Sequence, residues 1–252
     1  MGRGCDAVER VAMSTTVQIK ERPILMHARS INGILEGRKT QTRRIMKPQP
    51  WLNTVNQWLW DHKGRWQHAF HPGIAGNDAT TRLRSYCPYG QPGDRLWVRE
   101  AWHTGRRLDE FNATEIAAKA VDAGYSPGAP LWYSDGAIVP FGDADEDDFG
   151  FKGRYRHGRF MPRWASRLTL EIANIRVERV QEISANDCLA EGIDYSKHRC
   201  GCDFCATAPQ ICPASSSSLI MEFASLWDDT NGKGAWERND WVWAIDFRSL
   251  VA

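Results

Sequence analysis

The stretch from Arg167 to Ile183 limits the folds open to this chain more than any other. Leu168, Leu170, Ile172, Ile175, Val177 and Val180 alternate with polar residues, and the phase slips at Ala173-Asn174. Alternation puts every second side chain on one face of an extended chain, so the stretch reads as a half-buried hairpin or one long bulged strand. Two more β-prone runs accompany it. Arg95 to Trp102 follows the turn signal Gln91-Pro92-Gly93-Asp94, and Trp241 to Phe247 closes the chain. A chain with these strands must bury one sheet face and dispose of the sheet's edges.

Short helical patterns lie between the strands. Ser30 to Glu36 has a capping serine, apolar residues at helical spacing and Gly37 at its stop. Glu115 to Ala123 reads as a helix capped by Thr114 and stopped by Gly124. Ser184-Ala185-Asn186-Asp187 is a capping-box pattern whose helix stops at Gly192, with Cys188 packing as a small apolar residue. Leu219 to Trp227 places Leu219, Ile220, Phe223, Leu226 and Trp227 on one face. Residues 48–90 and 103–160 read as two long insertions. The expected fold class is α+β: a small closed β-barrel with a few short helices, in one domain over 21–250. Residues 1–20 read as a disordered tail, and Met13 offers an alternative start.

At 252 residues, with 42% hydrophobic and 25% charged residues, the chain can bury a core. No apolar run approaches the roughly 20 residues of a membrane helix, and the first dozen residues lack the apolar centre of a signal peptide, so a cytoplasmic protein is expected. A net charge of +1 excludes a binder that works by bulk charge. Charge is segregated instead. Asp143, Asp145, Glu146, Asp147 and Asp148 form an acidic run that reads as a solvated loop, and Lys152, Arg154, Arg156, Arg159, Arg163 and Arg167 follow it. Tyr155, Phe160 and Trp164 interleave with these arginines, a combination suited to stacking single-stranded nucleic acid or a flipped base. Among the 12 tryptophans, Trp97, Trp102, Trp241 and Trp243 read as core, Trp51, Trp58, Trp60 and Trp66 as pins of an insertion, and Trp164 as a stacking surface.

The sequence Gly37-Arg38-Lys39-Thr40-Gln41-Thr42-Arg43-Arg44 sits where a helix gives way to an extended segment. Two hydroxyls and four cations in seven residues suit an anionic or nucleobase-like ligand, and alternation puts Thr42 and Arg44 on one face. This octet resembles the signature of the ASCH domain, a relative of the PUA barrel, whose pattern is Gly, any residue, Lys, two of any, Glu, any, Arg. Gly37, Lys39 and Arg44 match, and Thr42 stands where many members carry Glu. Three further blocks extend the resemblance: Cys87 to Trp102, Met161-Pro162-Arg163-Trp164-Ala165-Ser166-Arg167, and Trp241 to Phe247. In that order they look like the ASCH-containing proteins of tailed phages and prophages, over roughly half the chain.

The resemblance implies a PUA-like barrel that binds RNA, single-stranded DNA or a modified nucleobase, with Arg38, Arg43, Arg44, Arg163, Trp164 and Arg167 as binding residues. A threonine at the Thr42 position is the version found in small bacterial ASCH amidohydrolases that deacetylate N4-acetylcytidine. It therefore also implies, as the alternative, an amidohydrolase with Lys39, Thr42 and Glu100 as catalytic residues. Burial beside neighbouring arginines would lower the lysine pKa, letting it activate the Thr42 hydroxyl or a water, with Glu100 moving the proton to the leaving amine. Lys39 and Glu100 could equally be an ion pair that braces the pocket. In Trp97-Val98-Arg99-Glu100-Ala101-Trp102, Glu100 shares a face with Val98 and Trp102 and is expected inside, within about 4 Å of Lys39 or an arginine of the octet.

Four of the seven cysteines, Cys200, Cys202, Cys205 and Cys212, fall within thirteen residues of a loop over 198–213. In a reducing compartment that density favours a structural Zn²⁺ over disulfides, with a loop of free thiols as the other reading. No His-x-Glu accompanies it, so a zinc deaminase is not expected. Cys87 reads as packing under the Pro-Gly turn.

Overall fold

A computed structural model of the chain describes residues 18–52, 58–61, 67–70, 84–122, 131–139, 151–198 and 213–250. The expectations for the rest of the N-terminal tail, Trp66, the acidic run at 143–148 and the cysteines Cys200, Cys202, Cys205 and Cys212 lie outside the described residues. In chain order the elements are β1 (Glu21–Leu25), α1 (Ala28–Leu35), β2 (Gln41–Ile45), β3 (Trp51–Leu52), β4 (Trp58–Asp61), β5 (Gln67–Phe70), β6 (Arg95–Arg99) and β7 (Trp102–Thr104). They continue with α2 (Ala113–Asp122), β8 (Leu131–Tyr133), β9 (Ile138–Val139), β10 (Thr169–Arg179), α3 (Ala185–Ala190), α4 (Pro213–Asn231) and β11 (Trp241–Ser249). Among the described residues the fold is mixed α/β, with few helices and three sheets.

The largest sheet has the order β1-β6-β10-β11-β2. The alternating run is its central strand β10, and the register against β11 shifts between Ile172 and Asn174. Ala173 is the extra residue. It resets the phase, so Leu170 and Ile172 before it and Ile175 after it all enter the same core. β11 is buried on both faces. Trp241, Trp243, Ile245 and Phe247 enter this first core, while Val242 enters a second one made with α3 and α4. There Leu219, Phe223 and Trp227 recur every fourth residue along α4, one face of the helix. β1 and β6 are parallel; Pro23 is tolerated because β1 is an edge strand.

The two edge strands, β1 and β2, share no backbone ladder among the described residues. Their seam is bridged by a side chain: the Arg44 guanidinium donates to the Leu25 carbonyl at 2.7 Å. The 48–90 insertion contains the antiparallel sheet β3-β4-β5, whose strands of two to four residues are too short to leave a periodic signal. The 103–160 insertion supplies β8 and β9, which pair with β7 over a separate core of Trp102, Leu108, Ile116, Leu131, Tyr133, Met161 and Ala165.

Several local expectations shift. The first helix starts at Ala28, with His27 rather than Ser30 as its cap. α2 is capped by Asn112, whose side chain accepts from the Thr114 and Glu115 N–H groups while Glu115 reaches back to the Asn112 N–H. That is a capping box displaced from Thr114 by two residues. The Ser184–Asp187 box is present as expected, Gly192 stops that segment with φ +93, and Cys188 is fully buried. Lys20 belongs to the fold rather than a tail, since its N–H donates to Asp94 at 3.0 Å. Trp97, Trp102, Trp241 and Trp243 are core, whereas Trp51 is exposed.

Candidate functional site

Lys39 follows the left-handed turn at Gly37 (φ +72), and its side chain passes between two glycines. A Cβ on Gly33 would stand 3.2 Å from the Lys39 Cβ, and one on Gly192 would stand 3.1 Å away. The two glycines make a slot for the lysine stem. At its end Nζ donates to the Glu191 carboxylate at 2.6 Å and to the Glu191 carbonyl at 2.8 Å. Burial pulls the Lys39 ammonium below the ordinary lysine range, opposed by the adjacent carboxylate; Arg44 and Arg43 add to the lowering.

Lys39, Thr42, Arg43, Arg44 and Glu191 border one cavity of about 300 Å³. It lies along the open edge of β2. Met26, His27, Arg29 and Ser30 at the start of α1 form one wall, and Phe223, Leu226, Trp227 and Thr230 of α4 form the other. Among the described residues the Thr42 hydroxyl has no hydrogen-bond partner. The Trp227 indole N–H is buried without one. The ladder's parity exposes further groups. Met46 N–H bonds to Trp241, and Phe247 N–H bonds to Thr40, so even-numbered residues of this strand face β11. The peptide groups of Arg43 and Ile45 therefore point to the open edge, toward the cavity they line. Such a cavity offers a hydroxyl, an indole N–H and peptide donors and acceptors to a small planar polar ligand.

Behind the cavity a polar network fixes β2. Arg43, with no exposed side-chain area, pairs with Glu178 at 2.5 Å, Glu191 at 3.3 Å and Asp187 at 3.4 Å. Arg176 and Gln41 also bond Asp187, at 2.7 Å and 3.0 Å. Against the effect of burial, hydrogen bonds from Arg176, Ser184 and Gln41 hold the Asp187 carboxyl far below the usual range; burial lifts that of Glu178. Arg43 therefore orients Glu191 rather than meeting solvent. Arg38 lies apart, donating to the Gly192 carbonyl at 2.9 Å and pairing with Glu36. Burial lowers the Arg44 pKa.

The expected third member of the catalytic set is elsewhere. Glu100 is fully buried, as its strand parity requires, but it forms a bidentate pair with Arg167, with both bonds 2.9 Å. It does not line the Lys39 cavity. The reason is that β6 ends at Arg99: Glu100 lies in the two-residue junction between β6 and β7, where it meets Arg167. Burial raises its pKa, against the lowering by Arg167. The carboxylate beside Lys39 is Glu191, which sequence reasoning missed. One signal existed: Glu191 precedes the helix-stopping Gly192, at a helix C-terminus where the dipole disfavours an anion.

The expected nucleic-acid strip is also reassigned in part. Arg163 pairs with Glu21 at 2.9 Å and bonds Thr169 at 3.2 Å. Arg167 also pairs with Asp135 at 2.8 Å and lies over the Tyr133 ring. Trp164 meets Trp102 edge-on at 6.0 Å in the third sheet's core. These three side chains join elements of the protein to each other. No group of three or more metal-ligating side chains occurs among the described residues, and the four clustered cysteines fall outside them. No described helix is long and apolar enough to cross a membrane. Comparison with known proteins finds no family model, no curated protein and no solved structure that matches the chain.

Proposed function

We propose that the chain is an ASCH-type, PUA-like protein, of the kind carried by phages and prophages, that binds a nucleobase or modified nucleoside in the β2 cavity. The observation that carries this reading is convergence: Lys39, Thr42, Arg43 and Arg44 of one short sequence signature all border a single cavity. Its size suits one base, and its unpartnered hydroxyl, indole and peptide groups match the donors and acceptors of a pyrimidine edge. The Arg44–Leu25 bond across the sheet's seam is consistent with a PUA-like barrel closed there by a side chain. Cytoplasmic RNA or single-stranded DNA is the natural source of such a base. Calorimetric titration with cytidine and N4-acetylcytidine tests the reading. Thr42→Val should weaken binding by about tenfold, the value of one hydrogen bond near 1.4 kcal/mol. Equal affinity in the variant, or no nucleoside binding in the wild type, contradicts it.

A second reading is hydrolysis of an acylated cytidine, favoured by a specific feature: a buried lysine with a lowered pKa beside a hydroxyl and a carboxylate. Neutral Lys39 would take a proton from a water or from Thr42 Oγ as that oxygen attacks the amide carbon. The C–N4 bond then breaks, with the proton delivered to N4 through Lys39 or Glu191. Attack by water leaves acetate and cytidine at once; attack by Thr42 Oγ leaves cytidine and an acetyl ester on Thr42, which a water then hydrolyses to acetate and the free hydroxyl. Glu191 takes the role first assigned to Glu100. Release of cytidine from N4-acetylcytidine, abolished in Lys39→Ala, supports chemistry; binding without release leaves the first reading.

A further inference from the structure

A second cleft, of about 840 Å³, opens beside the third sheet, away from the β2 cavity. Trp102, the first turn of α2 and the segment 154–160 line it. Its cations differ from the rest of the arginine strip. Arg163 and Arg167 are neutralised by carboxylates, whereas Arg154 and Arg156 have none within ion-pair reach among the described residues. Their guanidinium groups donate instead to backbone carbonyls, Arg154 to Phe111 at 3.2 Å and Arg156 to Leu108 at 2.9 Å. Arg156 is 8% exposed, its Nε has no partner among the described residues, and its guanidinium lies over the Trp102 ring at 5.6 Å, with Asp109 acting on it from beyond ion-pair distance.

Aromatic surface stands beside this charge. Tyr155 and Phe160 are 61% and 66% exposed, and His103 meets the Tyr155 ring edge-on at 5.7 Å, so both rings present apolar surface at the cleft. Glu115, the only acid among the described residues that line the cleft, is engaged by the Asn112 N–H at 2.9 Å. The start of α2 adds the positive end of a helix. Gly158 lets the segment lie against its support: a Cβ there would stand 2.8 Å from the Glu100 carbonyl carbon. Guanidinium charge and exposed rings at one cleft match a phosphate joined to a planar base.

We propose that this cleft binds a nucleotide, with its phosphate at Arg154 and Arg156 and its base against Tyr155 or Phe160. The site stands independently of the β2 cavity. Its ligand is either a free mononucleotide or one unit of a single strand, and both present the same chemistry. The test is fluorescence anisotropy of a labelled single-stranded hexanucleotide with the whole chain, with cytidine 5′-monophosphate, cytidine and a polyglutamate peptide as competitors. Arg154→Glu is expected to weaken binding at least tenfold. Tyr155→Ala with Phe160→Ala is expected to weaken it about fivefold or more, the range of base stacking. Raising salt from about 50 to 200 mM should cost roughly sevenfold for two phosphate contacts. Arg248→Glu, an exposed charge on β11, serves as the control and should change nothing.

Competition by the mononucleotide but not by cytidine assigns a free nucleotide. Competition by neither, with the variant effects intact, assigns a strand. Unchanged binding in Arg154→Glu and in the double aromatic variant overturns the proposal. So does a loss in Thr42→Ala without one in Arg154→Glu, which would place the ligand at β2. Polyglutamate competing as well as the oligonucleotide overturns it too, in favour of an acidic protein partner.

Discussion

Lys39–Glu191 and Glu100–Arg167 are two buried cation–carboxylate pairs with opposite surroundings. Lys39 and Glu191 have side-chain exposures of 5% and 6%, Glu100 and Arg167 of 1% and 14%, so burial does not separate them. What separates them is what lies next door. Lys39 and Glu191 border an open cavity with unpartnered polar groups, while Glu100 and Arg167 are closed off by Asp135 and the Tyr133 ring. The chemistry of the cation differs as well. A lysine whose pKa burial lowers can lose its proton; an arginine cannot, and its fork bonded twice to one carboxylate is a brace. A buried ion pair thus becomes a candidate site only when it borders space and can change protonation state.

The widest gap between the pairs should appear in stability. Glu100→Ala leaves Arg167 with Asp135 alone and should cost about 3 kcal/mol in urea denaturation, while nucleoside binding at β2 is retained. Glu191→Ala removes the carboxylate partner of Lys39, leaving it the residue 191 carbonyl, and one partner of Arg43, and is expected to cost about 2 kcal/mol by the same measurement while abolishing nucleoside binding. If Glu100→Ala also destroyed binding without destabilising the fold, the assignment of site and scaffold would be reversed.

The pH dependence should slope in opposite directions at the two pairs. The folded Lys39 pKa lies below the ordinary 10.5, so the unfolded chain holds more protons there, and stability rises with pH up to about that value. Lys39→Met should flatten this alkaline rise. The folded Glu100 pKa lies above the ordinary 4.5, so the folded chain holds more protons. Its contribution is complete below 4.5 and is lost as pH rises through the folded value, and Glu100→Gln should flatten this acid fall. Urea midpoints across the pH range, wild type against each variant, check both slopes.

The smallest effect concerns the slot around Lys39. Gly33→Ala gains helix preference of about 0.5–1 kcal/mol, but its new methyl meets the Lys39 Cβ at 3.2 Å. Stability should change by less than about 1 kcal/mol while nucleoside affinity falls as the lysine is displaced. Unaltered affinity would mean that the slot does not position Lys39.

Much of the frame was legible in the chain. The slip at Ala173-Asn174 marked the bulge of β10 because a two-residue period shows any insertion at once. Lys39 and Thr42 were legible because three residues of a helix-to-strand junction fix their separation. Glu191 was not, since 152 positions separate it from Lys39 and only the packing of α3 against β2 brings them together. For Glu100 the parity argument gave the burial but not the partner, because parity fixes a face and not what stands opposite. For Arg163 and Arg167, composition did not reveal the carboxylates of Glu21, Glu100 and Asp135 that pair with them in the fold.

The central claim is that Lys39, not Glu100, belongs to the functional site. Calorimetric titration of N4-acetylcytidine into Lys39→Met and Glu100→Gln, side by side, tests it most directly. The account predicts that Lys39→Met remains folded and loses at least tenfold in affinity, while Glu100→Gln keeps wild-type affinity. Full affinity in Lys39→Met, or a loss confined to a folded Glu100→Gln, would contradict it.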